Sequence, residues 1–487
     1  MITRDAASTL LARVPTGLLI GGHFRPATNN TRFDVTDPAT GEILMSVADA
    51  TVDDALRALD DAASLQESWK RTAPQYRSAI LRRAYDMMVE QADDLASLVT
   101  LEMGKPRRES LDEVLYAAEF LRWFSEEAIR INGTTRTAPN GESQIFTLKE
   151  PVGPCLLVTP WNFPLAMGTR KIGPALAAGC TAIVKPATHT PLSMNVLGSI
   201  FVEAGLPPGV LSILPTSNSP AVVSALMADT RLRKLSFTGS TEVGKILASQ
   251  AAQNVLRLSL ELGGNAPLIV CKDADIDRAV SETMKAKLRN NGEACTAANV
   301  IYAHRDIVEQ YSAALADRFN ELVVGPGSDT ESTVGPVIDS QAMRKVNELV
   351  QDAINKGAKL LSQRDTPSIG SYCAPSVLGD VPLTARLVHE EIFGPVAPIV
   401  TWDNEDDLMA GLNNSPYGLA AYLFTRDLDT TRRFSEVLQV GMLAINRGVL
   451  SNVAAPFGGV KQSGYGREGG DEGINEYLDT KYVALHT

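Results

Sequence analysis

Histidine and cysteine are scarce, five of each in 487 residues, and neither falls into a pattern that would hold a metal. Cys155, Cys180, Cys271, Cys295 and Cys373 are too few and too irregularly spaced for a disulfide framework, and no CxxC pair offers a zinc site. That usage points to a reducing compartment. No run approaches the roughly 20 apolar residues a membrane span needs. The first thirty residues carry Arg4, Asp5, Arg13 and Arg25 with only 18–20 as an apolar run, so no signal peptide is readable and a cytoplasmic protein is expected. Basic residues are outnumbered, 45 against 57 acidic ones, giving a net charge of −12 without a basic stripe. Nucleic acid, which demands clustered Lys and Arg on its phosphates, is excluded as a partner. A small anion is not, because a few converging arginines can hold one inside an acidic protein.

What is present is a chain long enough, at 44% hydrophobic composition, for two or three domains. Apolar residues at helical spacing over 79–88 and on through Leu95, Leu98 and Val99 predict a helical stretch stopped by Gly104-Lys-Pro106, and 111–131 predicts another. The polar alternation of 134–149 reads as an exposed hairpin, too polar to pack alone. From Pro154 short apolar runs at 155–158, 182–184, 210–214 and 234–237 alternate with helical segments, which implies parallel strands with right-handed crossovers in an open α/β sheet. A second alternating region has strands at 267–270, 299–302, 396–400 and 418–424. With no Pro/Gly/Ser linker in between, the boundary near Gly263-Gly264 reads as a hinge between packed domains.

The most informative residue is Cys295, in the run Asn-Asn-Gly-Glu-Ala-Cys at 290–295, with no histidine nearby. A thiol used as a nucleophile must then find its base among carboxylates, and Glu261, beside the Gly263-Gly264 turn, is the candidate. Glu293, two residues before the thiol, is the rival. The other four cysteines read as small buried hydrophobes.

Seven runs together resemble the aldehyde dehydrogenase superfamily along nearly the whole chain: Pro-Trp-Asn-Phe-Pro at 160–164, Val-Lys-Pro at 184–186, Phe-Thr-Gly-Ser at 237–240, Glu-Leu-Gly-Gly at 261–264, Gly-Glu-Ala-Cys at 292–295, Glu-Ile-Phe-Gly-Pro at 391–395 and Pro-Phe-Gly-Gly-Val-Lys at 456–461. The resemblance implies an α/β fold with a Rossmann-type cofactor domain in two parts (1–130 and 150–263), a catalytic α/β domain (264–465), and a small β oligomerisation arm made by a hairpin (131–149) and a C-terminal segment (466–487). It implies a homo-oligomer, dimer or tetramer. It also implies that Cys295 attacks an aldehyde, that the Asn162 side chain and the Cys295 N–H hold the oxyanion, and that Glu261 activates the water that hydrolyses the thioester. The family more often has glutamine where this chain has Glu293.

No GxGxxG follows a strand, but 237–244 opens a helix directly after one, so its N–H groups, with Gly239 and Ser240, suit a pyrophosphate. The resemblance assigns Lys185 and Glu391 to the ribose hydroxyls and Trp161, Leu262 and Phe393 to the nicotinamide side, with Asn162, Pro186 and Ala187 completing the cofactor set. Where NAD-preferring relatives often carry a glutamate, this chain has Thr188, which does not repel a 2′-phosphate; NADP is expected to be preferred, with NAD possible. Arg170, Arg289 and Ser451 stand where the succinate-semialdehyde branch of the family grips a distal carboxylate, and two guanidiniums suit that anion. That placement implies oxidation of succinate semialdehyde. Glutarate semialdehyde, a cysteine hydrolase and acyl transfer to coenzyme A remain as alternatives. A disulfide switch with a second cysteine two residues after the nucleophile is excluded, because that position is Ala297.

Overall fold

The computed structural model describes residues 4–486. Its first sheet has a parallel centre in the order Leu211–Ile213, Ala182–Lys185, Cys155–Val158, Lys234–Thr238, Arg257–Glu261. The chain direction across the sheet reverses between Cys155–Val158 and Lys234–Thr238. Loops leaving the two strands there diverge, which opens a crevice beyond their carboxyl ends. These strands are buried on both faces, which is why they read as unbroken apolar runs.

Both edges of this sheet are closed by distant segments. Leu18–Ile20 pairs antiparallel with Leu211–Ile213 and carries His23–Arg25 outside it, while Gly464–Tyr465 pairs antiparallel with Arg257–Glu261. The three-residue run at 18–20 is thus a buried strand. Its shortness left it without a readable period.

The second sheet repeats the plan. Ser376–Gly379, Val396–Trp402, Val300–His304, Pro267–Val270, Ala420–Phe424 and Met442–Ile445 are parallel in that order, with Lys359–Gln363 antiparallel at one edge. The expected α/β class is the one observed. A third sheet joins Thr135–Thr137, Ser143–Pro151 and Leu478–His486, all antiparallel.

The helical stretch expected from 79 to 99 is two helices, Pro74–Glu90 and Ala92–Met103, broken at Gln91. A one-residue break leaves a 3.6-residue apolar period intact, so periodicity alone reads through it. Gly104 ends the second helix in the left-handed conformation (φ 94°). Helix Arg107–Glu127 then packs against helix Pro164–Ala178, and the Phe120, Leu121 and Phe124 side chains join the core beneath the first sheet. No helix of the described residues is long and apolar enough to cross a membrane.

Candidate active site

A cavity of about 730 Å³ lies where the carboxyl ends of the first sheet face the loop before Val300–His304, and Cys295, Glu261, Asn162, Arg170, Arg289 and Ser451 all line it. Six residues separated by up to 289 positions in sequence therefore share one chamber. Trp161, Gly239, Ser240, Leu262, Glu391 and Phe393 line it as well.

The loop that presents Cys295 is held in an unusual conformation. Asn290, Asn291 and Gly292 have successive φ values of 58°, 57° and 79°. Asparagine tolerates this region better than other side chains, and here both amides are fixed. Asn290 Nδ2 donates to the Glu293 carbonyl at 2.9 Å, Asn291 Nδ2 to the Pro336 carbonyl at 2.9 Å, and Asn291 Oδ1 accepts from the Gly335 N–H at 2.7 Å. The Asn290 N–H donates to the Glu109 carboxylate. Gly264 lets the 261–264 run approach this loop, since a Cβ there would stand 3.3 Å from the Cys295 carbonyl. Burial pushes the Cys295 thiol up to about 12, with Arg170 and Arg289 pulling it down and Glu261 and Glu391 opposing them. The resting group is a thiol.

Asn162 precedes helix Pro164–Ala178. Its Oδ1 accepts from the Phe163 N–H at 3.1 Å and its Nδ2 donates to the Glu293 carbonyl at 2.9 Å. An amide nitrogen has two hydrogens, so one N–H remains for the cavity. Among the described residues no acceptor takes the Cys295 N–H.

Glu261 ends strand Arg257–Glu261 with only 4% exposure, and its Oε2 finds no hydrogen-bond donor among the described residues. Burial, then the nearby Glu468, push its carboxyl well above the usual range. Gly458 makes the room, because a Cβ there would lie 2.8 Å from Glu261 Oε1. Glu293 is placed differently. It does not line the cavity, and its Oε1 accepts from the Ile338 N–H at 3.0 Å. Burial raises its pKa well above the carboxylate range, against the pull of the Ile338 N–H bond.

Of the two arginines, Arg289 donates from Nη1 to Ser451 Oγ at 2.8 Å, and its Cζ stands 4.8 Å from the centre of the Phe163 ring. Arg170 is 1% exposed and lies over the Phe457 ring at 4.2 Å. Its Nε stands 2.6 Å from Glu468, which also binds Lys171 Nζ at 2.5 Å. Arg170 Nη2 has no acceptor among the described residues. Sequence reasoning missed Glu468 and Lys171. The only available signal was a lone acid among the glycines of 464–470. It also missed Tyr116, whose buried hydroxyl lacks a partner among the described residues and lines both this cavity and an adjoining one of about 550 Å³ that shares Phe163, Arg289 and Ser451.

The cofactor residues follow the strand ends. Lys185 closes Ala182–Lys185, donates to Ser219 Oγ at 3.0 Å, and is lowered by burial to about 8. Pro186 and Ala187 continue from it, buried, and Thr188 donates to the Thr216 carbonyl at 3.0 Å. Ser240 caps helix Thr241–Ala251 by accepting from the Val243 N–H at 3.3 Å. Glu391, raised by burial to about 7, accepts from the Gly264 N–H at 3.5 Å. Trp161 and Phe393 meet edge to face at 5.5 Å between ring centres. The Thr238 hydroxyl, buried at the mouth of the crevice, has no partner among the described residues. An unpaired donor, a helix N-terminus and a buried lysine fit a dinucleotide. Among the described residues no group of His, Cys, Asp and Glu suits a metal ion.

Residues 24–483 match the family model described as the aldehyde dehydrogenase family. A succinate-semialdehyde dehydrogenase of Paenarthrobacter nicotinovorans is 50% identical over 91% of this chain and 99% of its own length. A glutarate-semialdehyde dehydrogenase of Pseudomonas putida is 44% identical over 96% of this chain and 97% of its own. The crystal structure of an NADP-dependent enzyme of Escherichia coli superposes with a TM-score of 0.96 at 42% identity, covering 99% of both chains.

Proposed function

The chain belongs to the aldehyde dehydrogenase family, NAD(P)-dependent oxidoreductases that convert aldehydes to acids, and we propose that its own substrate is succinate semialdehyde. The observation that carries this reading is the convergence of Arg289, Ser451 and Arg170 on the chamber that holds Cys295. A substrate carboxylate there meets the Arg289–Ser451 pair and the unpartnered Nη2 of Arg170, while its aldehyde end reaches the thiol.

The Cys295 thiol gives up its proton to solvent water in the open cavity as its sulfur adds to the aldehyde carbon, and the carbonyl oxygen becomes an oxyanion held by the Asn162 side-chain N–H and the Cys295 N–H. Lys185, Thr188, Ser240 and Glu391 would hold the dinucleotide, with Trp161, Leu262 and Phe393 lining its nicotinamide side, and the cofactor would supply the acceptor for the hydride. The carbon is left as a thioester. Water then adds to it, Glu261 takes the water's proton, and the C–S bond breaks to release the acid and the thiol. A buried carboxyl with a raised pKa suits that role, because desolvation makes its ionised form a stronger proton acceptor than an exposed carboxylate. Thr188, offering a hydroxyl in place of a carboxylate, supports acceptance of NADP.

The exposed Leu148, Tyr482, Val483 and Leu485 on the third sheet support its use as an oligomerisation arm, and five free cysteines support a reducing, cytoplasmic setting. Initial rates of nucleotide reduction with aldehydes of three to six carbons, with and without a terminal carboxylate, test the substrate assignment. A maximum at glutarate semialdehyde would move it by one carbon. Turnover without nucleotide, or a requirement for coenzyme A, would overturn the reaction.

A further inference from the structure

Helix Pro164–Ala178 starts without a side-chain cap of its own. Its first free N–H groups, on Leu165 and Ala166, are instead taken by Glu113 Oε1 at 3.0 and 3.2 Å, from the middle of helix Arg107–Glu127. The other oxygen of Glu113 holds Lys105 Nζ at 2.5 Å, and Lys105 Nζ donates in turn to the backbone carbonyl of Asn162 at 2.7 Å. Both charged side chains of this pair are completely buried. The turn bearing Asn162 is thus gripped at its carbonyl by Lys105 and, three and four residues on, by Glu113.

We infer that Lys105, braced by Glu113, is a positioning residue that sets the oxyanion donor Asn162 against Cys295. A buried ion pair is a poor source of stability, since desolvation offsets most of its attraction and an apolar pair of similar volume often serves as well. What it supplies is direction. Two charges, bonded to each other and making three hydrogen bonds to one turn, fix the turn's position in a way that packed methyl groups do not. The requirement is strict at this place, because an oxyanion donor has to lie about 2.7–3.1 Å from where the charge develops. The side chain of Asn162 is tied on the other side to the Glu293 carbonyl at 2.9 Å, two residues before the thiol. Lys105 also stands 4.1 Å from the centre of the Phe163 ring, the ring that Arg289 approaches from its own side at 4.8 Å. The clamp therefore touches the turn beneath both the reacting carbonyl and the carboxylate grip.

The inference rests on Asn162 being the oxyanion donor, so the test is a double-mutant cycle on the first-turnover rate of nucleotide reduction, with Lys105→Met and Asn162→Ala alone and combined. Asn162→Ala alone should slow that step by about 10²–10³-fold; a loss below about tenfold overturns the donor assignment itself. Lys105→Met should lower the same rate by about 10–100-fold, the cost of a misplaced catalytic group. KM and nucleotide affinity should stay within about twofold, and succinate semialdehyde and butanal should suffer alike. In the Asn162→Ala background the lysine substitution should cost less than about threefold, because its effect passes through a side chain no longer there. An equal loss in both backgrounds, or a rise in KM at constant kcat, overturns the inference. If Lys105→Met does not fold, Glu113→Gln takes its place in the cycle. It keeps an oxygen for the Leu165 and Ala166 N–H groups and removes the charge that holds Lys105, and the same non-additivity is expected of it, additivity again being the overturning result.

Discussion

Arg170 Nε stands 2.6 Å from the buried carboxylate of Glu468, whereas Arg289, among the described residues, is hydrogen-bonded only to a neutral hydroxyl, that of Ser451. The two guanidiniums of the chamber are therefore unequal. Arg170 carries a counter-ion of its own and leaves Nη2 without an acceptor among the described residues, so under the proposed function Arg289 is the guanidinium whose charge would serve the substrate. Removing Arg170 would also leave Glu468 with Lys171 and the Ser236 hydroxyl beside Glu261, so its loss should disturb the proposed base as well as the proposed grip.

Arg289→Ala is accordingly the cleaner probe of the substrate. A carboxylate deprived of a desolvated partner should lose on the order of 2–5 kcal/mol, roughly thirtyfold to several-thousandfold in kcat/KM with succinate semialdehyde. Butanal, with the same carbon count and no carboxylate, should change little. Arg170→Ala should impair both aldehydes, succinate semialdehyde the more. Equal losses on both aldehydes in Arg289→Ala would show a supporting role and remove the substrate assignment.

The motifs of this site were legible because they use residue types that stand out: a cysteine without histidine, a glutamate beside Gly263-Gly264, and arginines eight residues after Asn162 and six before Cys295 that match the succinate-semialdehyde branch of the family. The strands that carry them were legible as apolar runs. Lys105 and Glu113 were not. Gly104-Lys-Pro106 reads locally as a helix stop, which it is, and nothing nearby in sequence shows that the lysine reaches Asn162, fifty-seven residues on. Glu293 was ambiguous for a related reason. Proximity to Cys295 in sequence made it a candidate base, and only its bond to the Ile338 N–H shows that it points behind the loop.

Cys295→Ala should abolish aldehyde oxidation and leave nucleotide binding intact, and residual activity within about tenfold of the parent would remove the nucleophile assignment. Glu261→Gln should separate the two halves of the reaction. It leaves the thiol and the oxyanion donors in place, so one equivalent of reduced nucleotide should appear in a burst before turnover stalls. Absence of the burst, with an equally slow first step, would mean that Glu261 acts on the thiol before it acts on water.

Thr188, three residues after Lys185, already donates to the Thr216 carbonyl, so its oxygen is held in place. Thr188→Glu puts a carboxylate there. It should weaken NADP binding far more than NAD, since the charge repels a 2′-phosphate and accepts from a 2′-hydroxyl. Titration of both nucleotides by fluorescence would decide, and equal effects would show that position 188 does not face the ribose.

Lys185 and Glu391 bracket the pH range in which nucleotide should bind. Burial raises Glu391 to about 7, so the carboxylate proposed to accept from a ribose hydroxyl is lost as pH falls through that value. Burial lowers Lys185 to about 8, so its ammonium is lost as pH rises through that one. The two shifts move toward each other, and affinity for NAD, which has no 2′-phosphate to titrate, should peak between them and fall on both sides, by up to about tenfold per pH unit where one group alone limits binding. Glu391→Gln should flatten the acid limb only, because a neutral amide neither gains nor loses a proton there. Lys185→Met should flatten the alkaline limb only. Affinity measured calorimetrically across this range, flat in the parent protein or retaining both limbs in either variant, would show that these two side chains do not govern nucleotide binding.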